Sequence, residues 1–126
     1  MKKILVIEDT LSFLNLYKEK LQLEGFEVYT ATDGEEGLSL ALEVRPELIL
    51  LDVMMPKMDG ITLMKKLRQS AWGKTVPIII LTNMPPDADS TLETIIEDQP
   101  VYYLLKQNAL PEDVVEKVKE VLTKSQ

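Results

Sequence analysis

Residues 48–60 read LILLDVMMPKMDG, an apolar run that ends in a single aspartate and continues into a segment of turn-like composition. The four residues before Asp52 are all Leu or Ile, which is typical of a strand covered on both faces. A carboxylate without a partner at the end of a buried strand is unfavourable, because the charge loses its hydration. Asp52 therefore indicates a functional site at this strand end.

The rest of the chain alternates short apolar runs with segments of helical spacing. The runs predicted as strands are KKILVI (2–7), EVYTA (27–31), ELILLD (47–52), VPIIILT (76–82) and VYYLL (101–105). Helix boundaries are indicated by Gly25 after the first helix, by Asp33 and Glu36 as a capping box, and by Pro111 as a first helical residue. The order βαβαβαβαβα predicts an α/β fold with a mainly parallel sheet and helices on both faces.

Composition narrows the chemistry that is possible. A length of 126 residues predicts one domain, 1–126, and a formal charge of −7 without a long basic run argues against direct nucleic-acid binding. The start MKKILVIED is too short in its apolar part for a signal peptide or a membrane span, so we expect a cytoplasmic protein. The sequence has no Cys and no His, which leaves any chemistry to carboxylates, lysines and hydroxyls.

Polar residues stand at the ends of four of the predicted strands, at one edge of the sheet. Glu8 and Asp9 follow the first strand, Asp52 and Thr82 end the third and fourth strands, and Lys106 follows the fifth. Parallel sheets bind ligands at the carboxyl ends of their strands. Crowded carboxylates repel each other and attract a hard cation such as Mg²⁺. With that cation the set suits phosphoryl transfer, and Asp52 is predicted to be the nucleophile.

Each of these residues also has an ordinary structural explanation. Asp9 is of a type that caps helices, and Glu8 of a type that is usually solvated. Thr82 suits a strand end by propensity, and Lys106 could protect an edge strand from pairing. Asp52 is the hardest of them to explain in this way. The coincidence of all five residues at one edge favours a functional site.

The set resembles the receiver domain of two-component response regulators, of the single-domain, chemotaxis-regulator type, over essentially the whole chain. The matching elements are Glu8-Asp9, Asp52 within LLDVMMPKMDG, Thr82 after PIIILT, and Lys106 downstream of Tyr103. The resemblance implies a flavodoxin-like, three-layer (βα)5 fold with a five-stranded parallel sheet of strand order 2-1-3-4-5. In that order the first and third strands are neighbours.

The resemblance also implies how a metal is bound. Asp9 and Asp52 would ligate Mg²⁺ together with the backbone carbonyl of Met54. Glu8 would act directly or through a water molecule.

A phosphoryl-transfer role is implied as well. A sensor histidine kinase or phosphotransfer protein would donate a phosphoryl group to Asp52, and Thr82 and Lys106 would bind its oxygens. Thr82 and Tyr103 would then switch the face of the fourth helix, fifth strand and fifth helix, where a downstream protein or a fused output domain would bind.

The chain departs from the family pattern after the fourth and fifth strands. Gln107 stands where the family usually has proline, often in a cis bond, and a non-proline cis bond costs roughly 2.5–4 kcal/mol. We therefore expect a trans bond or a reshaped turn. Asn83 stands where a small residue is common. Met54 and Met84 are bulky and apolar where other groups could orient an attacking water, so we expect slow self-dephosphorylation.

Three functions remain open. The chain could be a complete single-domain regulator or phosphorelay intermediate, or a receiver excised from a longer DNA-binding transcriptional regulator. A Mg²⁺-dependent phosphohydrolase is the alternative of another class. Many such enzymes carry a second aspartate two residues after the nucleophile, where this chain has Met54. With no His either, an acid-base partner for rapid turnover is lacking, so a classical enzyme is not expected.

Overall fold

The computed structural model describes residues 1–53, 57–82, 101–106 and 109–124, and the structural statements below concern these ranges. They contain five strands, four α-helices and a short 3₁₀ turn. The elements are β1 (Lys3–Ile7), α1 (Leu11–Leu23), β2 (Glu27–Ala31), α2 (Gly34–Val44), β3 (Leu48–Leu51), α3 (Gly60–Leu67), the 3₁₀ turn (Trp72–Lys74), β4 (Ile78–Thr82), β5 (Val101–Leu105) and the C-terminal helix (Pro111–Lys124). The helix predicted between β4 and β5 falls within 83–100, outside the described residues.

All five strands form one parallel sheet with the order β2-β1-β3-β4-β5. Ile7 lies opposite Leu51, and Leu51 lies opposite Ile80, so β1, β3 and β4 end at the same edge. The strand order reverses between β1 and β3, which is where parallel sheets form ligand sites. The predicted flavodoxin-like α/β fold is confirmed.

The core consists of two apolar layers, one on each face of the sheet. One layer contains Leu5, Ile7, Ile49, Leu51, Ile78 and Ile80, and the other contains Ile4, Val6, Leu48, Leu50, Ile79 and Leu81, each at most 2% exposed. The first layer packs against α2 and α3, and the second against α1 and the C-terminal helix. Each such buried side chain contributes about 1.5–3 kcal/mol relative to an exposed position. The central strands are thus held on both faces.

Helix boundaries follow the predicted signals. The carboxylate of Asp33 accepts a hydrogen bond of 2.9 Å from the backbone N–H of Glu36 at the start of α2. Gly25, with a φ of +92°, follows α1, where a left-handed conformation ends a helix without a Cβ penalty. The C-terminal helix begins at Pro111. Among these helices of the described residues, none is long and apolar enough to span a membrane.

Two positions with helical spacing are not in the core. Leu11, in the first turn of α1, is 61% exposed, and Leu42 of α2 is 43% exposed. Helical spacing in the sequence identifies which face of a helix points to the core. It does not show whether the first and last turns of that face are covered by other residues. Leu42 also lies one residue beyond the buried Ala41, which is about 100° around the helix.

The start of α3 is in close contact with the backbone at the end of β3. The N–H of Gly60 donates a 2.8 Å hydrogen bond to the carbonyl of Val53. A Cβ at Gly60 would lie 2.5 Å from the carbonyl oxygen of Asp52 and 2.8 Å from the Cα of Val53. Only glycine allows this approach, so Gly60 sets how closely α3 packs against the strand end that carries Asp52.

We expect Gly60→Ala to lower the free energy of unfolding by about 1–3 kcal/mol, as for other overpacked sites, although Ala is the better helix former. Urea denaturation followed by circular dichroism measures this change. Gly25→Ala is the comparison, because nothing lies within 4 Å of its Cβ position and only its positive φ opposes the substitution. If Gly60→Ala were as stable as the wild type or more stable, the close approach of Gly60 to the backbone of Asp52 and Val53 would not require glycine.

Candidate functional site

The neighbouring ends of β1 and β3 bring Glu8 and Asp52 together. The N–H of Asp52 donates to the carbonyl of Ile7 at 3.0 Å, and the N–H of Glu8 donates to the carbonyl of Ala31 at 3.0 Å. Hydrogen bonds that continue the sheet therefore fix the backbone of both acids. Glu8 is 2% exposed and Asp52 6% exposed, so the solvated carboxylate considered for Glu8 is wrong.

Asp9 completes a group of three carboxylates. Glu8, Asp9 and Asp52 each offer a carboxylate oxygen, and these oxygens lie within 4.8 Å of one another. Asp9 is exposed, and the N-cap of α1 is Thr10, so Asp9 does not cap this helix. Oxygen donors of this kind, two buried and one facing solvent, suit Mg²⁺, which prefers a few carboxylates and keeps several waters. The residues present therefore fit such an ion.

Lys106 places an ammonium group between the two buried acids. Its Nζ lies 3.2 Å from Oδ2 of Asp52 and also forms an ion pair with Glu8. The Lys106 side chain is only 6% exposed, which does not fit the edge-protecting role considered from the sequence. Removing one member of a buried ion pair leaves an uncompensated charge, which is more costly than the pair itself. The ammonium therefore offsets the repulsion between the two adjacent carboxylates.

The electrostatic environment of Glu8 is dominated by its burial. Burial raises the pKa of Glu8 from 4.5 to about 7, and the nearby charge of Asp52 adds to this rise. Hydrogen bonds from Lys106 and from the backbone N–H of Thr10, the latter at 3.0 Å, act in the opposite direction. The acids also affect α1, since burial together with the charges of Glu8 and Asp52 raises the pKa of Tyr17 to about 12.

An aromatic residue that the sequence patterns did not single out contacts this site. The ring centroid of Phe13 lies 4.7 Å from Nζ of Lys106. The same ring stacks on Tyr17, with a centroid distance of 6.0 Å and an interplanar angle of 16°. The available sequence signal was the spacing of four residues between Phe13 and Tyr17, which places two aromatic side chains on the same side of a helix.

The remaining predicted site residues are only partly described. Thr82 is the last residue of β4 and lies opposite Leu105, next to Lys106, while Tyr103 lies within β5 opposite Ile80. The side chains of Thr82 and Tyr103 are outside the described part of the structure. Four further positions lie wholly outside the described residues: Met54, Asn83, Met84 and Gln107.

The raised pKa of Glu8 predicts how the stability of the metal-free protein depends on pH. Between pH 4.5 and about 7 the folded state keeps a proton on Glu8 that the unfolded state has lost. The free energy of unfolding should therefore contain a component that is present below this window and is lost as the pH rises through it. Glu8→Gln should abolish that component.

Urea denaturation in the presence of a chelator, repeated across the same pH window, measures this effect. The exposed Glu43 of α2 supplies the matched control, because Glu43→Gln should leave the pH profile unchanged. An identical profile for wild type and Glu8→Gln would mean that Glu8 does not titrate in this window.

The chain matches the family model of the response regulator receiver domain over residues 4–119. It is 40% identical over 127 residues to the alkaline phosphatase synthesis transcriptional regulatory protein PhoP of Bacillus subtilis (strain 168), covering 99% of this chain and 50% of the relative. It is 45% identical over 92 residues to the transcriptional regulatory protein CpxR of Escherichia coli (strain K12), covering 73% of this chain and 38% of that protein. The chain thus spans half or less of the length of these curated relatives.

Solved structures show the same architecture. A CheY-like response regulator receiver domain protein from Methanospirillum hungatei JF-1 superposes with a TM-score of 0.87 at 28% identity, covering 98% of this chain and 95% of that one. The chemotaxis response regulator CheY4 of Vibrio cholerae gives a TM-score of 0.85 at 30% identity, covering 96% and 98%. By family model, relatives and fold, the chain belongs to the response regulator receiver domains of two-component signalling.

Proposed function

We propose that this receiver domain is a phosphoacceptor switch in which Asp52 takes a phosphoryl group from a partner histidine kinase or phosphotransfer protein. One observation carries the proposal: Asp52 is buried at a strand end, 3.2 Å from a buried ammonium, with two further carboxylates nearby. We also propose that residues 1–126 form one such domain, acting in the cytoplasm.

The donor set of the site supports a requirement for Mg²⁺. Asp9 and Asp52 would hold the ion, with Glu8 contributing directly or through water. The backbone carbonyl of Met54, outside the described residues, is the further proposed ligand. Bound Mg²⁺ would neutralise the acids and polarise phosphoryl oxygens.

The transfer joins the Asp52 carboxylate to the phosphoryl group that the partner's histidine carries. A carboxylate oxygen of Asp52 forms the new bond to phosphorus, and the bond between phosphorus and the donor's histidine nitrogen breaks. The electron pair of that bond stays with the imidazole, which then takes up a proton. Lys106 lies close enough to Asp52 to pair with the phosphoryl oxygens, and Thr82 is proposed to bind another of them. Burial of Asp52 limits water access, which favours a slowly hydrolysed acyl phosphate.

The output is proposed to be a change in the face of the predicted fourth helix, β5 and the C-terminal helix. Lys106 directly follows β5, so a phosphoryl group bound to its ammonium would act on the end of this strand. Thr82 and Tyr103 are the proposed switch residues. A downstream protein or a fused output domain would recognise the altered face.

The greater length of the relatives supports a second candidate, in which the output is a further domain of the same protein. PhoP of B. subtilis is named a transcriptional regulatory protein, and this chain covers 50% of it. A receiver from a longer DNA-binding regulator is therefore the second candidate, in which the output domain rather than this domain contacts DNA. The phosphohydrolase alternative gains no comparable support.

The proposal predicts a single covalent phosphoryl adduct after incubation with Mg²⁺ and acetyl phosphate. Intact-protein mass spectrometry should detect the adduct in the wild type and not in Asp52→Asn or in the presence of a chelator. Asp59→Asn is the matched control: Asp59 caps α3 by accepting a 2.8 Å hydrogen bond from the N–H of Thr62, and Asn preserves that role. An unmodified wild type with an intact fold, or an adduct on Asp52→Asn, would refute the proposed acceptor.

The metal site gives a separate prediction. Asp9→Asn keeps the size of the side chain but removes one of the three charges, so Mg²⁺ should bind roughly tenfold more weakly or worse. Isothermal titration calorimetry measures this affinity directly, without any phosphodonor. Asp59→Asn should bind Mg²⁺ as the wild type does. Equal affinity of Asp9→Asn and the wild type would remove Asp9 from the ligand set.

A further inference from the structure

We propose that Phe13 is a positioning residue for Lys106. The ring of Phe13 holds the Lys106 ammonium beside Asp52 while metal binding and phosphorylation change the interactions of the carboxylates. This role rests on the proposed function of Asp52 and assigns a new residue to it. The contact itself is direct: Nζ of Lys106 lies 4.7 Å from the Phe13 ring centroid, within the roughly 6 Å over which a cation is attracted to a ring face.

Burial strengthens this attraction. The Lys106 side chain is 6% exposed, so the ammonium has lost most of its contact with water. Cation-ring contacts are stronger when the cation is desolvated than when it is exposed. The ring of Phe13 is partly buried as well, and it packs against the core layer on the α1 face of the sheet.

Lys106 needs such support because its backbone lies just past the end of β5 at Leu105. A lysine side chain is a flexible stem with a compact charge, so its position depends on what the ammonium contacts. Within the described ranges, the ammonium pairs with the carboxylates of Glu8 and Asp52 and lies near the ring of Phe13.

The three contacts differ in what the proposed reaction does to them. Metal binding would engage Glu8 and Asp52, and transfer would convert the carboxylate of Asp52 into an acyl phosphate. Phe13 is neither a ligand nor an acceptor, so its contact with the ammonium does not have to change. The ring can therefore keep Lys106 in place while its anionic partners are replaced.

Phe13 is itself well held. It stacks on Tyr17 at 6.0 Å, and Tyr17 is a core residue that is 4% exposed. Helix α1, which carries both rings, packs on the sheet through Leu14 and Leu21. The orientation of the ring is thus fixed by its packing on the buried Tyr17 and on the core layer beneath α1.

The test compares Phe13→Leu, which keeps an apolar side chain but has no ring face, with Phe13→Tyr, which restores the ring. The initial rate of phosphorylation of Asp52 by acetyl phosphate at saturating Mg²⁺ should fall roughly 2- to 30-fold in Phe13→Leu, the range expected for one cation-ring contact. Phe13→Tyr should return the rate to that of the wild type. Tyr17→Phe, which preserves the stack, is the matched control and should not change it.

Nuclear magnetic resonance reports the contact independently of phosphorylation. In the metal-free wild type the ring current should shift the side-chain methylene resonances of Lys106 upfield, and this shift should disappear in Phe13→Leu and persist in Phe13→Tyr. Should Phe13→Leu fail to fold, Phe13→Met replaces it as an apolar side chain without a ring.

The outcomes separate this role from the proposed function. If Phe13→Leu is phosphorylated on Asp52 as fast as the wild type, the positioning role of Phe13 is refuted, but the acceptor function of Asp52 is not. The absence of a ring-current shift on Lys106 would have the same meaning. If Phe13→Tyr does not restore the phosphorylation rate, Phe13 acts only through its packing, and the positioning role is refuted. A wild type that takes no phosphoryl group overturns the acceptor function and the positioning role together, while the resonance shift still shows whether the contact exists.

Discussion

The site depends on one ammonium group buried between two carboxylates. The strand order forces β1 and β3 to be neighbours, which sets Glu8 and Asp52 side by side in the interior of the protein. Two like charges in a poorly solvated place repel strongly, and Lys106 offsets this from the end of β5. Lys106 therefore links the acidic cluster to the end of β5, the edge strand of the sheet.

The two apolar layers fix the register of the strands, and with it the positions of the residues at the strand ends. Strands buried on both faces cannot shift by one residue without exposing their side chains to the wrong layer. Gly60 adds a second constraint, since α3 rests against the carbonyl of Asp52 with no room for a side chain. The position of the Asp52 backbone is thus determined by the packing of the sheet and of α3.

Much of the fold and of the acidic site could be predicted from the sequence. Continuous runs such as LILL identify doubly covered strands, and Glu8, Asp9, Asp52 and Lys106 follow strands, so parallel order alone brings them to one edge. The contact between Phe13 and Lys106 was missed because it depends on the rotation of α1 about its axis and on side-chain rotamers. Crowding of the carboxylates predicts a raised pKa within the cluster, but the main cause at Glu8 is burial, which is a property of the assembled domain. The roles of Thr82 and Tyr103 stay predictions.

The strand order has a consequence for when the site can exist during synthesis. Glu8 and Asp52 belong to the first half of the chain, whereas Lys106 follows β5, so the ion pair with Glu8 closes a loop from residue 8 to residue 106. Chains are made from the N-terminus, and the contact between distant segments forms only after the intervening residues have been added. A nascent or truncated chain that lacks β5 would hold its acids without their counter-charge. The charge-balanced acidic cluster is therefore complete only once the fifth strand has joined the sheet.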